Sequence, residues 1–292
     1  MTFIKCSAYG ACYLAFMGNK VKALAPGIRP DTENADCVAE RKHFFSRNRG
    51  LISIEDQDKL ARTTIAIAGA GGDGGLLAER LVRVGIGGII LADPEVFEAA
   101  NINRQFAANS RSLGRNKAAA VADELRLINP ELRLMVYPQG LSDENKAEFI
   151  AGAHIVVDEI EYSLPSLSVL LHQEARRQQK PVFMGANIGW GASVFHFAPD
   201  GCTFEDHFEF DSETGTINPL KYLQTVPSYF DVATQQAILS GEMPMPSVSP
   251  AVGLVAAMLS TEIILFATGK KRPATVPEFL YADLYSGTLQ RH

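Results

Sequence analysis

Six residues constrain this chain more than any others. They are Gly69-Ala-Gly71-Gly72-Asp-Gly74, which end the β-branched apolar run of residues 63–69 and open a helical pattern. An apolar run of this kind closing on glycine reads as a buried parallel strand. Gly69 permits the tight turn that follows. Gly71 and Gly72 let backbone N–H groups approach a phosphate, and Gly74 lets the helix pack against the strand. The helix N-terminus itself favours an anion. A strand, a glycine turn and a helix together predict a phosphate-bearing ligand at the carboxyl edge of a sheet.

The rest of the chain repeats the alternation. Strands are expected over 63–69, 88–93, 132–137, 154–160, 181–186 and 192–199. Helices are expected over 55–62, 75–84, 116–128, 143–151 and 165–179, the third stopped by Asn129 and Pro130. This order predicts an α/β, Rossmann-like doubly wound fold with a mostly parallel sheet. Residues 205–247 are irregular and polar, with a helix expected over 230–240, and read as a long crossover or lid. A helix over 251–269 and a hairpin turning at Ser286-Gly287 close the fold. Residues 1–40 lack a clear period and read as a variable N-terminal segment ending in a linker. Residues 41–292 are expected to form a single domain.

Composition narrows the partners. Lys+Arg number 27 against 33 Asp+Glu, a net charge of -6, so there is no electrostatic footprint for nucleic acid. The apolar stretch 7–17 is short and lacks a cleavage site, so a signal peptide is not expected. Ser260, Thr261 and Glu262 sit mid-way along the 251–269 helix, where lipid would penalise them. That helix reads as a core or dimer-interface element, and no membrane partner is expected. Cys6, Cys12, Cys37 and Cys202 lack the C-x-x-C spacing of a structural zinc site. A reducing, cytoplasmic compartment suits a chain of this length without a disulfide framework.

Asp93 lies 19 residues after Gly74, at the end of the second strand, where a carboxylate can accept bonds from ribose hydroxyls. To this point a dinucleotide-dependent oxidoreductase and an ATP enzyme fit equally well. The run Asn101-Ile-Asn103-Arg104-Gln105 separates them, with Lys117 following Arg104 by 13 residues. Two further cations beside a pocket already served by glycines and a helix dipole point to a third phosphate. Taken singly, both could equally be surface charges. Asp158, Glu159 and Glu161 end the strand of 154–160, and a carboxylate there can hold Mg²⁺ against phosphates.

Together these residues resemble the ThiF/MoeB/HesA family, the E1-like adenylating enzymes. The resemblance spans about residues 41–292. It rests on the glycine turn, Asp93, N-x-N-R-Q, Lys117 and the acidic strand end. The entry run FFSRNRGLISIEDQDKL and the closing run SVSPAVGLVAAMLSTE add to it. The resemblance implies that ATP·Mg²⁺ is attacked at its α-phosphate by a carboxylate, giving an acyl-adenylate and pyrophosphate. It implies that Gly69, Gly71, Gly72 and Gly74 hold phosphates and Asp93 the ribose. It assigns the triphosphate to Asn101, Arg104 and Lys117, with Asn103 and Gln105 counted among the nucleotide contacts. Glu161, with Asp158 beside it, would orient the metal and the α-phosphate. Arg47 resembles an arginine supplied across a homodimer to the partner's γ-phosphate. The acid activated would be a peptide or carrier-protein C-terminus, or a small acid.

Three departures stand out. The family's D-x-x-D is here Asp158-Glu-Ile-Glu161, one methylene longer at its end. The paired C-x-x-C zinc ligands are absent; the remaining combination of Glu205, Asp206 and His207 is a weak substitute, and no zinc site is expected. Residues 203–292 contain no cysteine, so a thioester step is not expected. These departures leave a competing expectation, a nucleotide-binding or scaffold member impaired in catalysis.

Overall fold

A computed structural model describes residues 44–223, 226–239, 242–243 and 245–292. The expected N-terminal segment, with Cys6, Cys12 and Cys37, lies outside them. Ser53 caps the first helix, α1 (Ile54–Arg62), by accepting from the Asp56 N–H, and Glu55 and Asp56 sit where the helix dipole favours acids. Strand β1 (Thr64–Ala68) leads through the glycine turn into α2 (Gly72–Val84), which stops at Gly85 in the left-handed region. There follow β2 (Gly88–Ala92), α3 (Lys117–Ile128), β3 (Arg133–Tyr137), α4 (Lys146–Ala151), β4 (Ile155–Asp158) and α5 (Pro165–Arg177). Asn116 caps α3 by accepting from the Ala119 N–H.

The eight strands form one sheet in the order β3-β2-β1-β4-β5-β6-β7-β8. The first five run parallel. The sheet then turns antiparallel. β5 (Val182–Ile188) and β6 (Gly191–Phe197) are separated by only Gly189 and Trp190, too few for a crossover helix. β7 (Leu280–Asp283) and β8 (Thr288–Arg291) form the terminal hairpin around Ser286 and Gly287. Register matters most at β1. Ala68 lies opposite Ala92 of β2 on one side and Asp158 of β4 on the other. Chain order reverses at β1, so a crevice opens beyond the carboxyl ends of β1, β2 and β4.

Strand period divides the core. Ile65 and Ile67 face Leu77, Leu81, Leu125 and Leu259 on one side of the sheet. Ala66 and Ala68 face Phe149, Leu171 and Phe195 on the other. After β6 come α6 (Phe204–Phe208), a 3₁₀ turn at Pro219–Tyr222, α7 (Val232–Leu239) and α8 (Ser249–Ala267). α6 was not anticipated. Five residues carry no helical period, although Thr203 capping from three residues before Asp206 is a start signal. Among the described residues, α8 alone is long and apolar enough to cross a membrane. In this fold it buries Val252, Val255, Leu259 and Ile263 against α2, β5 and β6, and its Glu262 pairs with Lys271 at 2.6 Å.

Candidate nucleotide site

The crevice exists because three backbone segments approach more closely than side chains would allow. Gly69 has φ 101°, and a Cβ there would lie 2.1 Å from the Glu159 carbonyl oxygen. A Cβ on Gly74 would lie 2.1 Å from the Gly69 carbonyl oxygen. Gly69 N–H donates to Ala92 O and Glu159 N–H to Ala68 O, both at 2.8 Å, which locks the three strand ends together. No side chain caps α2 at Gly71, so its first-turn amides face the crevice.

The resulting cleft has a volume of about 240 Å³. It brings together Gly69, Gly71, Gly72, Gly74, Asp93, Arg104, Gln105, Lys117 and Glu161, as the sequence pattern predicts. Asp93 is buried and accepts from Ala70 N–H at 2.7 Å and Glu95 N–H at 2.8 Å. It therefore pins the glycine turn to β2 as well as lining the wall, and burial raises its carboxyl above the usual range. Lys117 is buried with its Nζ 2.5 Å from Glu95, whose carboxylate is solvated. The Arg104 guanidinium donates to Asn103 Oδ1 at 3.0 Å and Ala100 O at 3.3 Å. No carboxylate lies within ion-pair distance of it among the described residues, although its charge acts on Asp73 across the cleft. The Gln105 Oε1 is buried without a partner, and its amide nitrogen faces Gly71.

Four expected site residues are placed elsewhere. Asp158 is fully buried behind the strand end. Its oxygens are taken by Ile160 N–H at 3.0 Å and by His172 Nε2 at 3.1 Å. Asp158 therefore does not line the cleft, and the metal-ligand role expected of it meets a carboxylate whose two oxygens are already bonded. Asn101 closes its own turn, accepting from Glu98 N–H at 2.9 Å, and does not line the cleft. Asn103 donates to the Ser247 carbonyl at 3.1 Å, tying this loop to the end of the crossover. Arg47 is exposed in the 3₁₀ turn Ser46–Asn48, away from this cleft.

Sequence reasoning missed Asp73 and Asn187, and named Glu159 in the acidic strand end without giving it a role of its own. The glycine-turn pattern assigned no role to Asp73, yet a carboxylate among phosphate-facing amides is itself a signal. Asn187 donates to Asp73 Oδ2 at 2.6 Å and accepts from Ser247 Oγ at 2.5 Å. It lies 114 positions along the chain from Asp73, so no local pattern announces it. The other Asp73 oxygen has no partner. Burial pushes the Asp73 carboxyl up to about 7 against the pull of Asn187 and Arg104, with Glu161 adding to the rise. Burial, then Asp73 and Asp158, push Glu159 well above the carboxylate range, although Gly185 N–H donates to it at 3.2 Å.

An acid that is weaker when folded binds more protons folded than unfolded, here between pH 3.8 and about 7. Stability then falls as pH rises through that window and stays lower above it. Asp73→Asn is therefore expected to match the parent near pH 4 and to melt higher at pH 8. The gap should be on the order of 2–4 °C for each kcal/mol recovered. A melting difference independent of pH would refute the buried-acid account.

The residues weighed for other chemistry are occupied structurally. Burial raises the Cys202 thiol, the reverse of what a nucleophile needs. Asp206 is held by Thr203, Glu205 by Gln173, and His207 packs against Phe195 and Phe208 with burial lowering it to about 4.

Comparison with known proteins covers the same span. The ThiF family matches residues 45–292. The SAMP-activating enzyme E1 of Haloferax volcanii is 28% identical over 166 residues, 57% of this chain and 61% of that protein. The tRNA threonylcarbamoyladenosine dehydratase of Bacillus subtilis is 33% identical over 117 residues, 40% of this chain and 46% of that protein. The matches thus span about half the length of these curated relatives. The crystal structure of E. coli MccB with ATP shares the fold, with a TM-score of 0.64 at 18% identity over 91% of this chain and 73% of that one.

Proposed function

The chain belongs to the ThiF family, and from that premise we propose that it adenylates a carboxylate with ATP in the glycine-turn cleft. The observation that carries this reading is one cleft that holds Arg104, without a direct carboxylate partner among the described residues, buried Lys117 and the open N-terminus of α2. A carboxylate oxygen bonds to the α-phosphorus while the bond to the bridging oxygen breaks. Pyrophosphate leaves with the electron pair, and no proton moves. Preplaced cations stabilise the charge that gathers on the leaving group. The α2 amides hold the phosphates and Asp93 faces the ribose.

Glu161 is an exposed carboxylate of the cleft without an ion-pair partner among the described residues, and is the residue that would hold Mg²⁺. When bound there, Mg²⁺ neutralises phosphate charge. Relatives are named for a protein and for a tRNA base, so the acid is drawn from a broad class: a carrier or peptide C-terminus, or a small acid. The enzyme works in the cytoplasm as a homodimer, without membrane or nucleic-acid binding.

Labelled pyrophosphate should exchange into ATP only when Mg²⁺ and a carboxylic acid are both present. Failure to bind nucleotide with Mg²⁺ would end the proposal. Glu161, with Asp158 tied away behind it, also favours a second reading: a nucleotide binder that does not turn over. Binding without exchange for any acid would select that one. In the dimer reading, Arg47 serves the partner's site. Arg47→Ala should then lower exchange on the order of tenfold or more while leaving the oligomer intact. Mixing the impaired Arg47→Ala and Arg104→Ala subunits should restore part of the activity. No restoration in verified mixed dimers would show that Arg47 acts within its own subunit or not at all.

A further inference from the structure

A second cavity, of about 400 Å³, adjoins the nucleotide cleft. Tyr162, Ala186, Asn187, Tyr222 and Met245 line both, so the two spaces are continuous. Its far walls are Ile188 at the end of β5, Ile217 and Leu223 of the crossover, and Ile238 of α7. Among the described residues lining it there is no Lys, Arg, Asp, Glu or His. Asn187 at the junction already spends its amide on Asp73 and Ser247.

We propose that this cavity is the acyl pocket, and that it selects acids whose carboxyl-bearing end carries a bulky, uncharged apolar group. The proposal rests on the adenylation reading above and names its substrate class. Its size lies in the range that buries small ligands. A charged side chain entering it would lose its hydration and meet no opposite charge among the described lining residues. A glycine end would leave the walls unpacked and forgo the burial that separates substrates in apolar pockets. The carboxylate would lie toward the cleft, past Asn187, with the apolar group against Ile217 and Leu223.

Pyrophosphate exchange and direct titration beside a non-hydrolysable ATP analogue test this with one acid panel. N-Acetylphenylalanine and N-acetylleucine stand for peptide ends, and 3-phenylpropanoate for a free acid. N-Acetylglycine and N-acetylglutamate are the contrasts. The bulky apolar acids should exceed N-acetylglycine by on the order of a hundredfold in kcat/KM, and N-acetylglutamate should not compete. A preference for N-acetyl acids over 3-phenylpropanoate, or the reverse, separates the two sources. Equal use of all acids, or a preference for glycine or glutamate ends, overturns the pocket while leaving adenylation standing. Selective binding of apolar acids without exchange would instead overturn adenylation and keep the pocket. Ile217→Trp, which fills the space, should cost the bulky acids at least tenfold with ATP affinity unchanged. Unchanged use of bulky acids by that variant would also overturn the pocket.

Discussion

Replacing Gly74 by Ala is expected to destabilise the fold by about 3–5 kcal/mol, a large share of a domain's usual total. The added Cβ would stand 2.1 Å from the Gly69 carbonyl oxygen and 3.2 Å from the Glu159 Cβ. Neither neighbour can withdraw cheaply. Gly69 is bonded to Ala92, and Glu159 to Ala68, across the strand ends. Overpacking alone costs roughly 1–3 kcal/mol, and each strand-end hydrogen bond displaced adds roughly 1 kcal/mol. Gly71→Ala is the informative contrast. Its Cβ would meet only the Gln105 amide at 3.5 Å, an ordinary contact. Thermal melting should leave Gly71→Ala close to the parent, while its methyl group, placed where a phosphate approaches the backbone, weakens ATP at least tenfold. If both substitutions unfolded the protein alike, or neither did, the division between a packing glycine and a phosphate-facing glycine would be wrong.

Arg104→Ala is expected to weaken ATP by roughly tenfold to a hundredfold, the worth of one charge-assisted contact. AMP should lose less than about threefold if the cation meets the outer phosphates. Lys117→Ala should show the same ordering with a smaller loss, because Glu95 already draws on its charge. The solvated Glu95 left behind is not expected to destabilise the fold, since exposed pairs contribute little. Isothermal titration of both nucleotides against each variant checks the point. Equal losses for ATP and AMP would put the cations on the nucleoside side of the ligand.

The scaffold was legible because its signals are local. The run of 63–69, the glycine turn and the Asn116 cap each lie within a few residues of what they specify. The crossover helix and the terminal hairpin were legible for the same reason. The switch to antiparallel pairing after β5 was not read out, although two strand patterns without an intervening helix carry it. In the site, residue types were legible and side-chain directions were not. Asp158 and Glu159 are neighbours on one strand end. The strand's period of two sends the first to His172 and the second to the cleft. Asn101 and Asn103 sit in the right loop, yet one closes its own turn and the other reaches Ser247. Contacts across more than a hundred residues, such as Asp73 with Asn187, are products of sheet topology. Only the assembled fold reveals them.

The central claim is that one open helix end and two cations hold the three phosphates of a single ATP. A crystal structure with ATP and Mg²⁺ bound tests it most directly. The account predicts hydrogen bonds from the Gly72–Gly74 amides, the Arg104 guanidinium and the Lys117 ammonium to phosphate oxygens, with the α-phosphorus facing the Asn187 junction. Arg104 and Lys117 directed into bulk solvent, with the nucleotide held by the glycine turn alone, would contradict it.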